Sequence, residues 1–268
     1  MENAAEKNAQ RYLGFAGMYD DVRPECPQFV VDCLTNYLGR RPRRVVDFGC
    51  GTGLSTRIWS NFSDEVIGIE PNEDMRSLAI QNAKGLENVS FLQAFAAHTG
   101  LETGSADIVT CAQSFHWMEP KATLEEAARL LPEGGIFAAY DCDWPPVCKW
   151  EAEWEYRKLF RVVRAVQAEN EKFQGGYVRW DKNAHMDQIK ACGYFTYTRE
   201  IVFSAPLPLN AERFIGLALS QGGLPHVMRE DIKLVEPQLG VFIRRIKEIF
   251  AEQTLDATLC YRMRLGIR

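Results

Sequence analysis

A glycine-rich loop that follows a short apolar run constrains the fold of this chain more than any other feature of its sequence. Residues 45–53 read Val-Val-Asp-Phe-Gly-Cys-Gly-Thr-Gly. The β-branched pair at the start is typical of a strand. Gly49, Gly51 and Gly53 stand at alternate positions, so the backbone can turn tightly and approach a ligand without an intervening Cβ. The run therefore predicts a strand that leads directly into a ligand-binding loop.

The spacing of these glycines separates two classes of nucleotide ligand. Dinucleotide-binding loops have the pattern G-x-G-x-x-G, whereas this loop reads D-x-G-x-G-x-G from Asp47 to Gly53. Glu70 ends the next apolar run, about 20 residues beyond the first glycine, where a carboxylate is expected to accept hydrogen bonds from ribose hydroxyls. The pattern predicts a nucleoside-type ligand, with an NAD-dependent oxidoreductase kept as the alternative.

Composition and charge narrow the class of protein. The chain has 268 residues, of which 46% are hydrophobic and 25% charged, typical of one large α/β domain with an elaboration. The net charge of −5 argues against non-specific binding to nucleic acid or to an anionic membrane, although a local basic patch is compatible with it. The N-terminus lacks a signal pattern, which predicts a cytoplasmic protein.

The cysteines give no metal signature. There are eight, irregularly spaced and without a C-x-x-C pair, so in a reducing compartment they are expected to be small buried hydrophobic residues. The sequence therefore predicts no metal site.

Strand-like and helix-like segments alternate through the first half of the chain. Short apolar runs, typical of buried parallel strands, occur at 44–48, 65–69, 89–92, 107–111 and 136–140. Helix-like segments lie between them at 54–61, 73–84 and 121–131. This alternation predicts a doubly wound α/β sheet with its ligand at the carboxyl ends of the strands.

The alternation stops after Tyr140. Helices are predicted at 150–172, 182–192, 210–220 and 228–252, and strands at 194–203 and 258–267. The predicted architecture is a Rossmann-like, seven-stranded, mostly parallel sheet with an antiparallel edge strand and a helical lid. The predicted divisions are an N-terminal arm with the cofactor-binding core at 1–141, a helical lid insertion at 142–193, and the final strands at 194–268 with a second helical insertion at about 205–255.

Three motifs together resemble one enzyme family. They are the Asp47–Gly53 loop, the run Ile-Glu-Pro-Asn-Glu-Asp-Met at 69–75, and the run Asp-Ile-Val-Thr-Cys-Ala-Gln-Ser-Phe-His-Trp-Met at 107–118. In this combination the chain resembles the class I S-adenosylmethionine-dependent methyltransferases of the small-molecule type, which include trans-aconitate methyltransferase. From residue 142 onward the resemblance is topological only.

The resemblance implies S-adenosyl-L-methionine as cofactor, S-adenosyl-L-homocysteine as product, and a set of cofactor-binding residues. In relatives an acidic residue binds the adenine amino group at the position where this chain has Phe95 and Ala96, so that contact differs here. The residues implied to bind the cofactor are Tyr19, Arg23, Asp47, Gly49, Cys50, Gly51, Gly53, Glu70, Pro71, Asn72, Met75, Phe95, Ala96, Ala112, Gln113 and Trp117.

The resemblance also implies a reaction and an acceptor site. Methyl transfer to a small molecule is expected at oxygen, in a carboxylate or a hydroxyl group, with His116 as the candidate catalytic base. His116 and Trp117 are implied to face the acceptor. Trp144 and Trp150 are further candidate acceptor-binding residues, because aromatic faces attract a sulfonium group. A non-catalytic S-adenosylmethionine-binding protein is the second alternative. The expected partner is the small-molecule acceptor, without nucleic acid or membrane, for a monomer or homodimer.

One charged pattern lies outside these motifs. Arg157, Arg161 and Arg164 are spaced by four and three residues, which places them on one face of the predicted helix 150–172. An anion-binding surface and an ordinary solvated charged face both explain the pattern, and the second is favoured.

Overall fold

A single seven-stranded sheet organises the protein. The computed structural model describes residues 4–10, 20, 22–173, 177–221 and 223–268. The strand order is β3-β2-β1-β4-β5-β7-β6, which confirms the predicted Rossmann-like sheet. The strands are β1 (Arg44–Phe48), β2 (Glu65–Ile69), β3 (Val89–Leu92), β4 (Ile108–Ala112), β5 (Ile136–Cys142), β6 (Tyr197–Leu209) and β7 (Leu255–Ile267).

Strand direction changes at one side of the sheet. Strands β1 to β5 pair in parallel. β7 runs antiparallel to both β5 and β6, so the edge strand β6 pairs in the antiparallel direction, as predicted. The strand order reverses where β1 has β2 on one side and β4 on the other. In open α/β sheets the crevice at such a reversal, outside the carboxyl ends of the strands, is where ligands bind.

Nine α-helices lie in the described part of the chain. They are α1 (Ala4–Gln10), α2 (Gln28–Leu38), α3 (Glu73–Asn82), α4 (Pro120–Leu130), α5 (Trp150–Glu169), α6 (His185–Ala191), α7 (Ala211–Leu219), α8 (Leu224–Asp231) and α9 (Glu236–Phe250). Polar side chains cap the N-termini of several of these helices. The Asn72 side chain accepts a hydrogen bond from the amide of Met75 at the start of α3, and Glu119 caps α4 just before Pro120.

Two predicted helices are wrong in extent. The segment 54–61 forms only a 3₁₀ turn, Arg57–Asn61. The hydroxyls of Ser55 and Thr56 donate hydrogen bonds to the Asp47 carboxylate, and these bonds hold residues 54–56 in a turn. The segment 228–252 is not one helix, because α8 ends at Asp231 and α9 begins afresh at Glu236, with a proline in its first turn.

The apolar interior has three parts. One face of the sheet packs under α4 and α6 through residues such as Phe48 and Phe137. The other packs under α2 through residues such as Val45 and Ile108. A third cluster joins α5, α7, α8 and α9 to the ends of β6 and β7. The helices after β5 and after β6 therefore share one apolar interior.

Within the described residues, every helix falls short of the combined length and apolarity that crossing a bilayer requires.

Candidate functional site

The glycine loop turns sharply at the carboxyl end of β1. Gly49 and Gly51 have φ of +63° and +57°, in the left-handed region that favours glycine. A Cβ on Gly49 would lie 2.6 Å from the Met118 Cε and 2.8 Å from the Ser114 Cβ, whereas a Cβ on Gly51 would meet nothing within 4 Å. Gly49 is therefore required for packing, while Gly51 faces open space.

Asp47 lies behind this loop. Its buried carboxylate accepts hydrogen bonds from the hydroxyls of Ser55 at 2.6 Å, Thr56 at 2.8 Å and Thr110 at 2.8 Å. Burial raises the pKa of this carboxyl, and the three hydroxyls oppose that shift. The expectation that Asp47 contacts the cofactor is corrected here, since its side chain ties the loop to β4 and does not line the cavity described below.

Glu70 sits at the end of β2, facing the loop. One carboxylate oxygen accepts the amide hydrogen of Gly51 and the other that of Asn72, both at 2.9 Å. Burial raises the pKa of Glu70, although these two amides act in the opposite direction. The carboxylate is therefore held in one orientation beside Gly51.

These groups open onto a cavity of about 480 Å³. It lies outside the carboxyl ends of β1, β2, β4 and β5, where the reversal of strand order predicts a ligand. Most of the residues predicted to bind the cofactor line it: Arg23, Gly49, Cys50, Gly51, Glu70, Pro71, Met75, Phe95, Ala96, Ala112, Gln113 and Trp117.

Two further predicted cofactor residues lie off the cavity, and a third lies outside the described residues. A Cβ on Gly53 would meet the Phe91 ring at 3.1 Å, so this glycine serves packing. The side-chain oxygen of Asn72 caps α3, and its side-chain nitrogen donates to the carbonyl of Ala9, so neither is left for the cofactor. Tyr19 is the residue outside the described ranges.

The N-terminal helix α1 and residues 177–180 form a roof over the cavity, and no sequence motif marks the contacts that hold it there. The Asn8 side chain donates to the carbonyls of Trp117 at 2.7 Å and Val178 at 2.8 Å, and accepts from the Val178 amide at 3.0 Å. The Trp180 amide donates to the His116 carbonyl at 2.9 Å. α1 and residues 177–180 are thereby bonded to each other and to the turn after β4.

Gln113 adopts a strained conformation at the end of β4. Its φ is +53°, uncommon for a residue with a side chain, and its amide donates to the Tyr140 carbonyl at 2.8 Å. Such conformations cluster at functional sites. Gln113 lines the cavity as predicted.

His116 does not face the cavity, which corrects its assignment as a catalytic base and acceptor contact. The side chain is buried, and its Nδ1 lies 3.4 Å from the Asp141 Oδ1. Burial lowers the pKa of His116 to about 3, although Asp141 acts to raise it. A base this weak, which does not line the cavity, is unsuited to proton removal near neutral pH.

Asp141 is the centre of a charged cluster beneath the roof. Its carboxylate lies 2.6 Å from the Lys182 Nζ and 3.6 Å from both the His185 Nδ1 and the Arg264 Nη1. Burial alone would raise the pKa of Asp141, but His116 and Lys182 outweigh it and hold the pKa well below its usual range. Nothing in the local sequence indicates this cluster, because its members come from distant segments.

Trp144 and Trp150, predicted to contact the acceptor, do not line the cavity. The Trp144 ring stacks on the Arg23 guanidinium at 5.1 Å and packs against the helical core. Trp150 begins α5 on its outer face and is 72% exposed, because the opposite face of that helix carries the buried residues. In this arrangement neither ring faces the cavity.

One end of the cavity is lined by a thiol and two phenol groups, those of Cys26, Tyr140 and Tyr261, which the sequence motifs do not indicate. The Cys26 Sγ lies 3.1 Å from the Tyr140 Oη, and Tyr261 is nearby on β7. Burial raises the pKa of Cys26 to about 12 and also raises the pKa of Tyr140. The position of Tyr140 at the carboxyl end of the predicted fifth strand is the signal that could have found it.

Arg23 joins this end of the cavity to the helical core. Its guanidinium donates to the Ser220 hydroxyl at 3.0 Å and to the Ser220 carbonyl at 2.7 Å. These bonds and the Trp144 ring fix the orientation of a cation that lines the cavity.

Comparison with known proteins identifies the domain. Residues 46–139, from β1 to β5, match the family model of a methyltransferase domain. Residues 46–139 of this chain are therefore a methyltransferase domain. The match favours a methyltransferase over the NAD-dependent alternative.

Relatives and solved structures agree with the methyltransferase domain. An uncharacterised methyltransferase of Mycobacterium bovis is 36% identical over 120 residues, 44% of this chain and 46% of its own length. A Saccharomyces cerevisiae protein named as a probable S-adenosylmethionine-dependent methyltransferase is 30% identical over 124 residues, 45% of this chain and 43% of its own. The matches thus span less than half of these relatives. A structure from Anaeromyxobacter dehalogenans, solved as a candidate type II methyltransferase, has a TM-score of 0.66 at 18% identity, covering 91% and 97% of the two chains.

The cofactor of this family is S-adenosylmethionine, and the cavity fits it. Gly51 leaves open space where any side chain would intrude, beside the oriented Glu70 carboxylate. The buried Thr52 Oγ1, on a residue that lines the cavity, has no hydrogen-bond partner among the described residues. Around the site, the described residues include no group of three or more His, Cys, Asp or Glu side chains placed to hold a metal.

Proposed function

We propose that this protein transfers the methyl group of S-adenosylmethionine to an oxygen of a small-molecule acceptor by in-line displacement. The roofed cavity is the observation that carries the proposal. Its volume of about 480 Å³ lies in the range of small-molecule sites. A macromolecular acceptor would have to displace α1 and residues 177–180, which are bonded over the opening.

The proposed cofactor contacts follow the lining of the cavity. Glu70 would accept hydrogen bonds from the ribose hydroxyls, and Pro71 and Phe95 would flank the adenine. Gln113 and Arg23 would hold the methionine portion, with Arg23 on its carboxylate. When bound, S-adenosylmethionine supplies a methyl group that its sulfonium sulfur already activates, so these residues contribute orientation and the exclusion of water.

The acceptor is proposed to lie at the end of the cavity lined by Cys26, Tyr140 and Tyr261. Burial raises the pKa of all three, so they keep their protons. Cys26 and Tyr140 share one hydrogen bond, which leaves one of their two protons, together with that of Tyr261, to donate to an acceptor oxygen. A hydroxyl acceptor must lose a proton, whereas a carboxylate is already ionised. With His116 turned away, this end of the cavity favours a carboxylate.

Fold alone does not decide the reaction. Solved structures of similar fold include the [4+2]-cyclase SpnF and the cyclopropane synthase MmaA2 of Mycobacterium tuberculosis, both at a TM-score of 0.56. They also include a phosphoethanolamine N-methyltransferase of Haemonchus contortus solved with S-adenosylhomocysteine, at a TM-score of 0.58. Oxygen as the methylated atom therefore rests on the chemistry of the cavity.

We also propose a cytoplasmic location and a division into a cofactor-binding core and two helical insertions, in which α6 covers the sheet as part of the core. Eight free cysteines, four of them buried, suit a reducing compartment. The shared apolar interior of α5, α7, α8 and α9 supports treating the insertions as one lid.

A methyl-transfer screen tests the proposal. The full chain is incubated with S-adenosylmethionine carrying a radiolabelled methyl group and with panels of small carboxylic acids, phenols and amines. Labelled methyl esters from the acid panel are expected. Transfer confined to amines or to carbon would contradict the proposed oxygen acceptor, and release of the label only into protein would contradict a small-molecule acceptor.

A further inference from the structure

Five side chains form one stripe along the outer face of α5. They are Trp150, Trp154, Arg157, Arg161 and Arg164, spaced by four, three, four and three residues, and are called the Trp–Arg stripe below. This spacing keeps all five within one narrow sector of the helix. Every member is exposed, and Trp150 and Trp154 are 72% and 47% exposed. The stripe is about 21 Å long at 1.5 Å per residue.

The arginines of the stripe differ from the arginines that pair with carboxylates elsewhere in the protein. Arg40, Arg44 and Arg129 each bind a carboxylate within 3 Å. Among the described residues, no carboxylate forms an ion pair with Arg157, Arg161 or Arg164. Arg161 instead lies over the Trp154 ring, 5.9 Å from its centroid. Three cationic groups are thus available beside two exposed indoles.

The acidic residues of α5 do not neutralise the stripe. Glu155 is buried on the opposite side of the helix and pairs with Lys158 at 2.7 Å. Glu153 flanks the tryptophan end, but one of its oxygens accepts the Cys148 amide hydrogen at 3.0 Å. Glu151 and Glu169 are the remaining carboxylates of α5, and the helical spacing places both outside the sector of the stripe. The stripe is therefore a local positive surface on a chain whose net charge is −5.

We propose that the Trp–Arg stripe is a docking surface for an anionic lipid bilayer. Indole rings favour the headgroup region, where their apolar body and N–H both find suitable surroundings, and guanidinium groups pair with lipid phosphates. Val147, 53% exposed just before the helix, extends the apolar end. The proposal departs from the expectation, based on net charge, that the protein has no membrane partner.

A protein helix is the less suitable occupant. A partner in coiled-coil packing requires aliphatic side chains at the positions spaced by four and three, and three of the five here are arginine. The stripe also lies on one face of a single helix, and such a face can lie on a bilayer surface as peripheral amphipathic helices do.

Co-sedimentation of the full chain with vesicles tests the proposal. The vesicles are phosphatidylcholine alone, or phosphatidylcholine with phosphatidylserine. Binding is expected only to the second, weakening as salt rises because the contacts are electrostatic. The variant R157E/R161E/R164E should reduce binding by about tenfold or more, and W150A/W154A should reduce it at every salt concentration.

A matched variant separates local from total charge. K84E/K121E/K233E makes the same change in net charge at exposed positions elsewhere and should bind vesicles as the parent does. Thermal unfolding of each variant confirms that it is folded. Absence of vesicle binding, equal binding to both vesicle types, or equal loss in both triple variants would overturn the proposal. So would a dimer, seen by sedimentation velocity, that only the stripe variants abolish.

Discussion

At the scale of a single residue, Glu70 has both a structural role and a proposed role in cofactor binding. Its carboxylate orders the glycine loop through the Gly51 amide and the start of α3 through the Asn72 amide. The same group faces the cavity, where the ribose of the cofactor is proposed to bind. Holding a charged acceptor in a buried setting makes it a strong partner for hydroxyl donors.

Replacing this side chain should therefore weaken cofactor binding. Glu70→Ala is expected to lower the affinity for S-adenosylhomocysteine by about 1–3 kcal/mol, the scale of lost hydrogen bonds to a charged group. Isothermal titration calorimetry measures the change. Glu87→Ala, at an exposed position before β3, is the control and should bind normally. Unchanged affinity in Glu70→Ala would remove the ribose assignment.

Substitutions at two glycines of the loop and at one control glycine outside it test whether the loop contacts the cofactor. Gly51 and Gly100 both have positive φ and open space at the Cβ position, but only Gly51 lines the cavity. Gly51→Ala and Gly100→Ala should each cost about 1–2 kcal/mol of stability from left-handed strain. Only Gly51→Ala should also weaken S-adenosylhomocysteine binding, by about tenfold.

Gly49→Ala should behave differently from both. Its new Cβ would clash with Ser114 and Met118 in addition to the strain, and overpacking adds about 1–3 kcal/mol. Urea unfolding and calorimetry of the three variants make the comparison. Equal binding by Gly51→Ala and Gly100→Ala would show that the ligand does not approach Gly51.

At the scale of elements, α4 is anchored to the loop before β4 by one buried carboxylate. Glu126 accepts from the Thr99 hydroxyl at 2.6 Å and the Thr99 amide at 2.8 Å, and pairs with Arg129 at 2.7 Å. Burial alone would raise the pKa of Glu126, but the bonds from Arg129 and Thr99 outweigh it and lower the pKa to about 2.

This anchor should give stability that depends on pH. Because the folded pKa lies below the ordinary 4.5, the ionised group stabilises the fold above pH 4.5, and this contribution is lost as the pH falls towards about 2. Glu126→Gln should be less stable than the parent at pH 7, with the difference shrinking between these limits. Urea unfolding from pH 7 to pH 2.5 measures it. Glu125→Gln, exposed on the same helix, should show no such trend, and a constant deficit for Glu126→Gln would contradict the assigned pKa.

Elements also show where local sequence patterns fail. Residues 54–56 have a helix-compatible sequence, yet the Asp47 carboxylate binds the hydroxyls of Ser55 and Thr56 and holds them in a turn. The roof is bonded through Asn8 to Trp117, 109 residues away. Neither contact follows from propensity or periodicity, because each depends on groups brought together by the sheet.

At the scale of the whole molecule, ligand binding should stabilise the fold. A ligand that binds only the folded chain adds about 2.7 kcal/mol at a hundredfold excess over its Kd. For a chain of this size that corresponds to a rise in Tm of about 5–10 °C. S-adenosylhomocysteine should give this shift in a thermal melt and NADH should give none. The opposite pattern would contradict the cofactor assignment.

The sequence by itself determined the succession of strands and helices in the first half of the chain, the glycine loop, and the carboxylate that faces the loop. The reason is physical: buried parallel strands must be short apolar runs, and a loop with positive φ beside a ligand requires glycine. The bounds predicted for the first three strands agree with the structure. Most of the predicted cofactor-binding residues line the cavity because the carboxyl ends of those strands meet at one edge.

Only the tertiary structure decided which way individual side chains face. His116, Trp144 and Trp150 carry chemistry that suits an active site, yet His116 turns to Asp141, Trp144 stacks on Arg23, and Trp150 points to solvent. Asn8 and Tyr261 approach the cavity from opposite ends of the chain. Such orientations depend on packing between segments distant in sequence, and a local pattern contains no record of that packing.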